Sequence, residues 1–353
     1  MADDRTAEFC RRFGIQVPIL LAPMAGASAP SLSIAVANAG GFAACGALLM
    51  RPDEILQWSR DVRASTSGPF QLNLWIPDPP PIRDAENEAR WRSFLGRWGP
   101  DVPATAGDPA PRDFAAQCEA LLEAAPAAVS SIMGLFPAEY VKRLKGRHIA
   151  WFATATTVRE AREAADAGAD VIIAQGMEAG GHRGAFRAET AARDLVGLFA
   201  LLPAIVDAVT VPVVATGGIA DGRGIAAALA LGASAVMIGT GFLRCPEAGI
   251  HPAWADAIGR TAPEQTMLSA VFSGRPGRSI ANEYVRAATS DAAPKPAPYP
   301  VQRGLTAAMR AAALEAGAVE RMQAWAGQSA ALARAEPAGA LVARWWSDAQ
   351  RMT

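Results

Sequence analysis

The feature that most constrains this chain is a series of short apolar runs, each bounded by glycine or proline and followed by a stretch with helical spacing. The runs are 18–24, 41–47, 70–76, 127–134, 148–155, 170–176, 211–217 and 233–239. Their residues are continuously apolar rather than alternating, so both faces of each strand must be buried, as in parallel strands covered by helices. Helices are expected at 31–39, 53–63, 114–124, 138–145, from Thr157 onward, 195–209 and 222–231. Thr157 followed three residues later by Glu160 has the form of a capping box. No hairpin signal joins the runs. Eight βα units closing on themselves form a (β/α)8 TIM barrel of the α/β class. An open doubly wound sheet is the competitor, and the absence of GxGxxG after the first run counts against it.

Two regions fall outside this alternation. After the third run come PDPPP (Pro77 to Pro81) and a segment containing Trp91 and Trp98, too long for an ordinary loop. It reads as an excursion over one barrel end, with a helix at 84–98 that covers a cleft or patches the surface. Beyond residue 243 the regular pattern stops. Residues 251–300 read as irregular, and the tail from 302 is helical and alanine-rich, with a last helix at 341–349. The expected division is a barrel core at 1–243, a mostly helical cap at 244–335 and a C-terminal closing helix at 336–353.

Composition narrows the class. With 51% hydrophobic and 19% charged residues in 353, the chain can bury a large core. A formal net charge of −1 provides no field for nucleic acid or an anionic membrane. The uncharged stretches 17–50 and 225–243 are cut by proline or glycine, which argues against a spanning helix. The N-terminus has no apolar signal segment. Cys10, Cys45, Cys118 and Cys245 are widely spaced, giving neither a metal nor a disulfide pattern. A soluble cytoplasmic protein with reduced cysteines is expected.

The unusual residues gather at strand ends, where a barrel carries its chemistry. The seventh run ends in Thr216-Gly-Gly-Ile219, with Asp221-Gly-Arg-Gly224 opening the next helix, and the eighth in Ile238-Gly-Thr-Gly-Phe242. Glycine lets backbone N–H groups approach an anion, and a helix N-terminus favours negative charge. Tight βα turns alone would explain any single one of these glycines; two adjacent loops favour a phosphorylated ligand. The sixth run ends in Ala174-Gln-Gly-Met-Glu-Ala-Gly-Gly-His-Arg-Gly184. There Gln175 offers a donor and an acceptor to a heterocycle edge, and His182, among glycines, suits general-base or proton-donor work. His148 and His251 read as structural. Met24 and Asn73 end the first and third strands as candidate ligand contacts, with core packing and turn capping as the plain alternatives. Arg275 and Arg278 either meet an anionic substrate or are solvated surface arginines. No HExxH, GxSxG or paired carboxylates appear, and no metal site is expected.

These loops resemble the nitronate monooxygenases, formerly 2-nitropropane dioxygenases. The resemblance rests on PILLAPMAG, NLWIP, AQGMEAGGHRG, VVATGGIADG, IGTGFL and SGRPGRSI, and runs from Pro18 through the C-terminal tail. It implies non-covalent FMN at the barrel mouth, contacted by Met24, Asn73, Gln175, Gly180, Gly181, Gly217, Gly218, Gly239 and Thr240. Gly217, Gly218, Gly239 and Thr240 would hold the phosphate. Met237 stands where many members carry glutamine, so only its backbone would contribute to the cofactor site. His182 matches the catalytic base. The implied reaction is oxidation of a nitronate, or of a nitroalkane through its nitronate, against the flavin with O2, giving a carbonyl compound and nitrite. An FMN-dependent enoyl-acyl-carrier-protein reductase using NAD(P)H is similar in the same loops, and a non-catalytic flavin-binding protein is the alternative outside enzymes. The partners expected are these small molecules, with a homo-oligomer left open.

Overall fold

The computed structural model of the protein describes residues 2–108 and 112–352. Its strands are β1 (Ile19–Leu21), β2 (Ala43–Gly46), β3 (Phe70–Trp75), β4 (Ala128–Ile132), β5 (Ala150–Ala155), β6 (Val171–Gln175), β7 (Gly181–His182), β8 (Val213–Thr216), β9 (Ala235–Ile238), β10 (Thr266–Ser269) and β11 (Gly277–Ile280). Eight of them form one sheet in the order β1-β9-β8-β6-β5-β4-β3-β2. Every pair in it is parallel. The two ends meet at Leu20 and Phe42, where Leu21 N donates to Phe42 O (2.9 Å) and Phe42 N to Ile19 O (3.0 Å). The ring therefore closes into the expected TIM barrel.

The continuous apolar runs are explained by two cores. Outward-facing residues such as Leu72 and Leu74 pack under the helices with Leu32, Trp58, Leu121, Ile205 and Leu229. Inward-facing Leu20, Phe152, Val171, Val214 and Met237 fill the barrel base together with Phe9 and Phe13. These last two belong to the N-terminal helix Ala2–Phe13, so that helix plugs the base. Phe13 lies 5.1 Å from Phe152 and 6.0 Å from Phe42, centroid to centroid. The helix Ala338–Gln350, from the far end of the chain, packs against helices Gly222–Ala230 and Pro30–Asn38 and completes the outer layer between them.

Two expectations need correction. Residues 251–300 are not simply irregular: they hold helices Pro252–Arg260 and Glu283–Ala288 and the antiparallel hairpin β10–β11. Only Met267, Leu268 and Ile280 of its two strands are apolar, and its buried Arg278 finds a partner far away at Met177 O, so no local pattern announces it. The capping box at Thr157 is half formed. Its side chain accepts from Glu160 N, but the Glu160 carboxylate turns away to Thr156 N and Oγ1 (2.7 Å each) and Phe186 N (2.8 Å).

The Pro- and Trp-rich excursion belongs with the C-terminal region. Trp91, Phe94 and Leu95 of helix Ala85–Leu95 share a core with Tyr284, Val301, Leu305 and Met309, and Trp91 Nε1 donates to Lys295 O at 2.6 Å. No helix among the described residues is long and apolar enough to cross a membrane. All four cysteines are free thiols.

If the N-terminal helix seals the base, Phe13→Ala leaves a cavity among Phe42 and Phe152. It should cost about 3 kcal/mol in urea unfolding, the usual range for truncating a buried phenylalanine. A loss near zero would mean the plug is dispensable.

Candidate active site

The carboxyl ends of β1, β6, β8 and β9 crowd together through their glycines. Gly217 adopts φ +106°, and a Cβ there would stand 3.1 Å from Ala179 N. A Cβ on Gly180 would lie 2.5 Å from Gly327 N and 2.8 Å from Thr240 Oγ1, while one on Gly239 would touch Ala22 and Met24 Sδ. Thr240 Oγ1 accepts from Gly327 N at 3.0 Å, tying the last barrel loop to the C-terminal region. The N–H groups of Gly217 and Gly218 meet no protein acceptor among the described residues. Helix Gly222–Ala230 does not offer its N-terminus as expected: Asp221 caps it, accepting from Arg223 N and Gly224 N, and pairs with the Arg223 guanidinium. An anion here would use the free glycine amides rather than that helix end.

The histidine segment is built more tightly than a free loop. It forms β7, which pairs antiparallel with β11, Gly277 opposite His182 and Arg278 opposite Gly181, so β10, β11 and β7 make a second sheet. Gln175 folds the segment back on β6: its Nε2 donates to His182 O (3.1 Å) and its Oε1 accepts from Gly184 N (2.7 Å). The amide expected to face a ligand is thus engaged within the protein. Asn73 Nδ2 donates to Ser130 O and Oγ, which leaves its Oδ1 without a donor among the described residues. Met24 lies at the glycine cradle, its backbone N–H bonded to Ser28 Oγ. Met237 points into the apolar base, and its carbonyl accepts from Thr216 Oγ1.

His182 is half-buried between two indoles, Trp75 at 4.6 Å and Trp325 at 4.8 Å between centroids, with Tyr299 tilted against the far side of Trp75 at 5.4 Å. Its Nε2 lies 2.8 Å from Ser273 Oγ. One arrangement satisfies every member: Nε2–H donates to Ser273 Oγ, whose own hydrogen goes to Arg275 O at 3.1 Å. Nδ1 then keeps its lone pair and has no protein partner among the described residues. Burial, and after it the guanidinium groups of Arg303, Arg275 and Arg310, push the imidazole pKa down to about 3. The ring is therefore a neutral base at ordinary pH.

Arg275 and Arg278 are neither solvated nor open to a ligand. Arg275 is fully buried and clamps Asp78, and Arg278 donates to Met177 O (3.0 Å) and Thr266 Oγ1 (3.0 Å). Sequence reasoning assigned Ser273, Trp75 and Trp325 no place at the site. Ser273 and Trp75 lie in motifs already singled out, SGRPGRSI and NLWIP; nothing local marks Trp325. His251 is structural as expected, its Nδ1 accepting from Ala253 N. Among the described residues no cluster of side chains could hold a metal ion.

A TIM barrel with a half-buried neutral base and a glycine cradle at its strand ends has the form of an enzyme, and comparison with known proteins gives the class. The nitronate monooxygenase family model matches residues 8–347, and the chain belongs to that family of oxidoreductases, which are flavoenzymes. The chain is 41% identical to a nitronate monooxygenase of Paraburkholderia phytofirmans, over 94% of this chain and 92% of that one. Its structure is similar to that of a nitroalkane oxidase from Streptomyces ansochromogenes (TM-score 0.87, 36% identity, 96% of each chain covered). FabK from Thermotoga maritima is more distant, at TM-score 0.75 and 27% identity over 98% of this chain and 96% of that one.

Two outcomes follow from this geometry. Gly180→Ala drives a methyl group into the backbone at Gly327, so the unfolding free energy should fall by at least about 1 kcal/mol, the scale for overpacking; an unchanged free energy would show the segment free to move. The second concerns pH. A histidine whose folded pKa is pushed down to about 3, below its ordinary value of 6.5, takes up its proton more readily when unfolded. It removes stability as pH falls from 6.5 toward 3 and contributes none of that loss above 6.5. Stability of His182→Asn against pH should therefore be flatter across that window than for the natural protein, and a parallel slope would contradict the depressed pKa.

Proposed function

We propose that the protein oxidises alkyl nitronates, and nitroalkanes through their nitronates, to carbonyl compounds and nitrite with O2, using non-covalently bound FMN. The observation that carries this reading is His182: a neutral base between two indoles, beside a cradle whose glycine N–H groups lack acceptors. The residues present fit the cofactor. Gly217, Gly218, Gly239 and Thr240 would receive its phosphate, and Met24, Gly180 and Gly181 would line its ring. Asn73 Oδ1 would accept from it, while Gln175 and Met237 contribute through the segments they hold. FMN, when bound, supplies the electron acceptor for nitronate oxidation.

The protein's own work is to make and hold the nitronate. His182 Nδ1 takes the α-proton of a neutral nitroalkane, and the C–H electron pair moves onto the nitro group. Arg303, Arg275 and Arg310, whose field disfavours imidazolium, equally favour the anion formed beside it. A nitronate supplied as the anion needs no proton removed, and these cations rather than a charged histidine would attract it. Trp75 and Trp325 fix the ring and exclude water.

The test is to purify the protein, identify its bound flavin, and follow O2 uptake with propionate 3-nitronate beside NADPH oxidation with an enoyl thioester. Uptake without NADPH oxidation supports the reading; NADPH oxidation alone would favour the reductase. His182→Asn should lower turnover of a neutral nitroalkane by about 100-fold, the scale of general-base catalysis, while FMN stays bound. Full activity in that variant would remove His182 from the role.

A further inference from the structure

Asp78 has no part in the mechanism above, yet its ion pair with Arg275 joins three separate parts of the chain. Asp78 lies in the proline-rich excursion just beyond Trp75. Its carboxylate accepts two hydrogen bonds from the fully buried Arg275, Nε to Oδ2 at 2.9 Å and Nη2 to Oδ1. The third nitrogen, Nη1, donates to Ala185 O at 2.9 Å, just past His182 in the same segment. On the other side of the histidine, the Arg275 backbone holds Ser273. The carbonyl accepts from Ser273 Oγ at 3.1 Å, the N–H donates to it at 3.3 Å, and Ser273 Oγ sits 2.8 Å from His182 Nε2. The next residues continue the grip: Arg183 N donates to Pro276 O at 2.9 Å, and Gly277 pairs with His182.

Arg275 thus reaches the histidine segment on both sides of residue 182, by its side chain at Ala185 and by its backbone at Ser273. A guanidinium wholly removed from water needs an anion, and among the described residues Asp78 is the only carboxylate bonded to it. The planar fork also fixes the direction of the arginine, because both bonds to one carboxylate form only in a single orientation. We infer that Asp78 is a positioning residue for His182. Through Arg275 and Ser273, the excursion holds the imidazole in the place and tautomer that leave Nδ1 free for the α-proton. This rests on reading His182 as the base.

The excursion therefore acts on proton abstraction and not only on cleft shape. Asp78→Asn keeps the outline but replaces one acceptor by an N–H2 donor facing an arginine donor. The readout is the ratio of kcat/KM for a neutral nitroalkane to that for its preformed nitronate, which loss of overall structure or of flavin would not shift, since both substrates use the same flavin. In flavin-loaded Asp78→Asn the ratio should fall about tenfold or more, as expected for a misplaced catalytic group. In Asp78→Glu, which keeps the charge, it should stay within about threefold of the natural protein. The double variant Asp78→Asn/Arg275→Gln leaves no buried charge uncompensated, so it tests the inference even if the single variant fails to fold; its ratio should fall likewise.

An unchanged ratio in folded Asp78→Asn, or in the folded double variant, overturns the inference. His182→Asn, run alongside, separates the two levels. If it leaves the ratio unchanged, the base reading fails and the positioning reading with it. If it lowers the ratio and the Asp78→Asn variants do not, only the positioning reading fails.

Discussion

A parallel strand buried on both faces can place a polar side chain safely only where it leaves the sheet, because inside there is neither water nor a free backbone partner. The rest of this molecule follows from that constraint. Phe13, Phe42, Phe152 and Met237 fill the base of the barrel. Gln175 and Thr216 end their strands and Asn73 lies two residues short of the end of its own, each hydrogen-bonded to a neighbouring segment. Gln71 is an exception: it is fully buried in β3, and neither atom of its amide has a partner among the described residues.

The site is then completed from outside the barrel. A two-residue strand would not hold a histidine by itself; pairing with β11, and two arginines buried in the same hairpin, make its position definite. The same elements set its chemistry. Enclosure by Trp75 and Trp325 removes water, and the cap arginines add positive charge, so both effects favour the neutral ring. A histidine on an exposed loop would instead titrate near neutrality. Arg303 and Arg310 come from helices that also pack on the excursion's Trp91 and Leu95. Cap and excursion therefore act on the base together.

Glycine has two distinct uses around the cradle. Gly217 and Gly218 have positive φ and present unsatisfied N–H groups, whereas Gly180 and Gly277 are there because other groups pass too close for a side chain, the backbone at Gly327 in one case and the ring of Trp325 in the other. The first use invites an anion; the second lets the C-terminal region close onto the barrel.

The sequence by itself determined the eight strands, because an apolar run between glycines needs no distant partner to be recognised, and helices such as Phe114–Ala124 fall where their spacing put them. It also marked the glycine loops and His182, since residues unusual in composition cluster only where strands end. It did not reveal the β10–β11 hairpin or the burial of Arg275 and Arg278. Their segment mixes polar and apolar residues without a clear period, and what makes it strand rather than coil, and its arginines buried rather than solvated, is an ion pair with Asp78 and a pairing with β7, both far away in the chain. The base state of His182 was likewise decided by tertiary structure. A side chain carries its ordinary pKa in the sequence, and only the fold sets which rings enclose it and which charges face it.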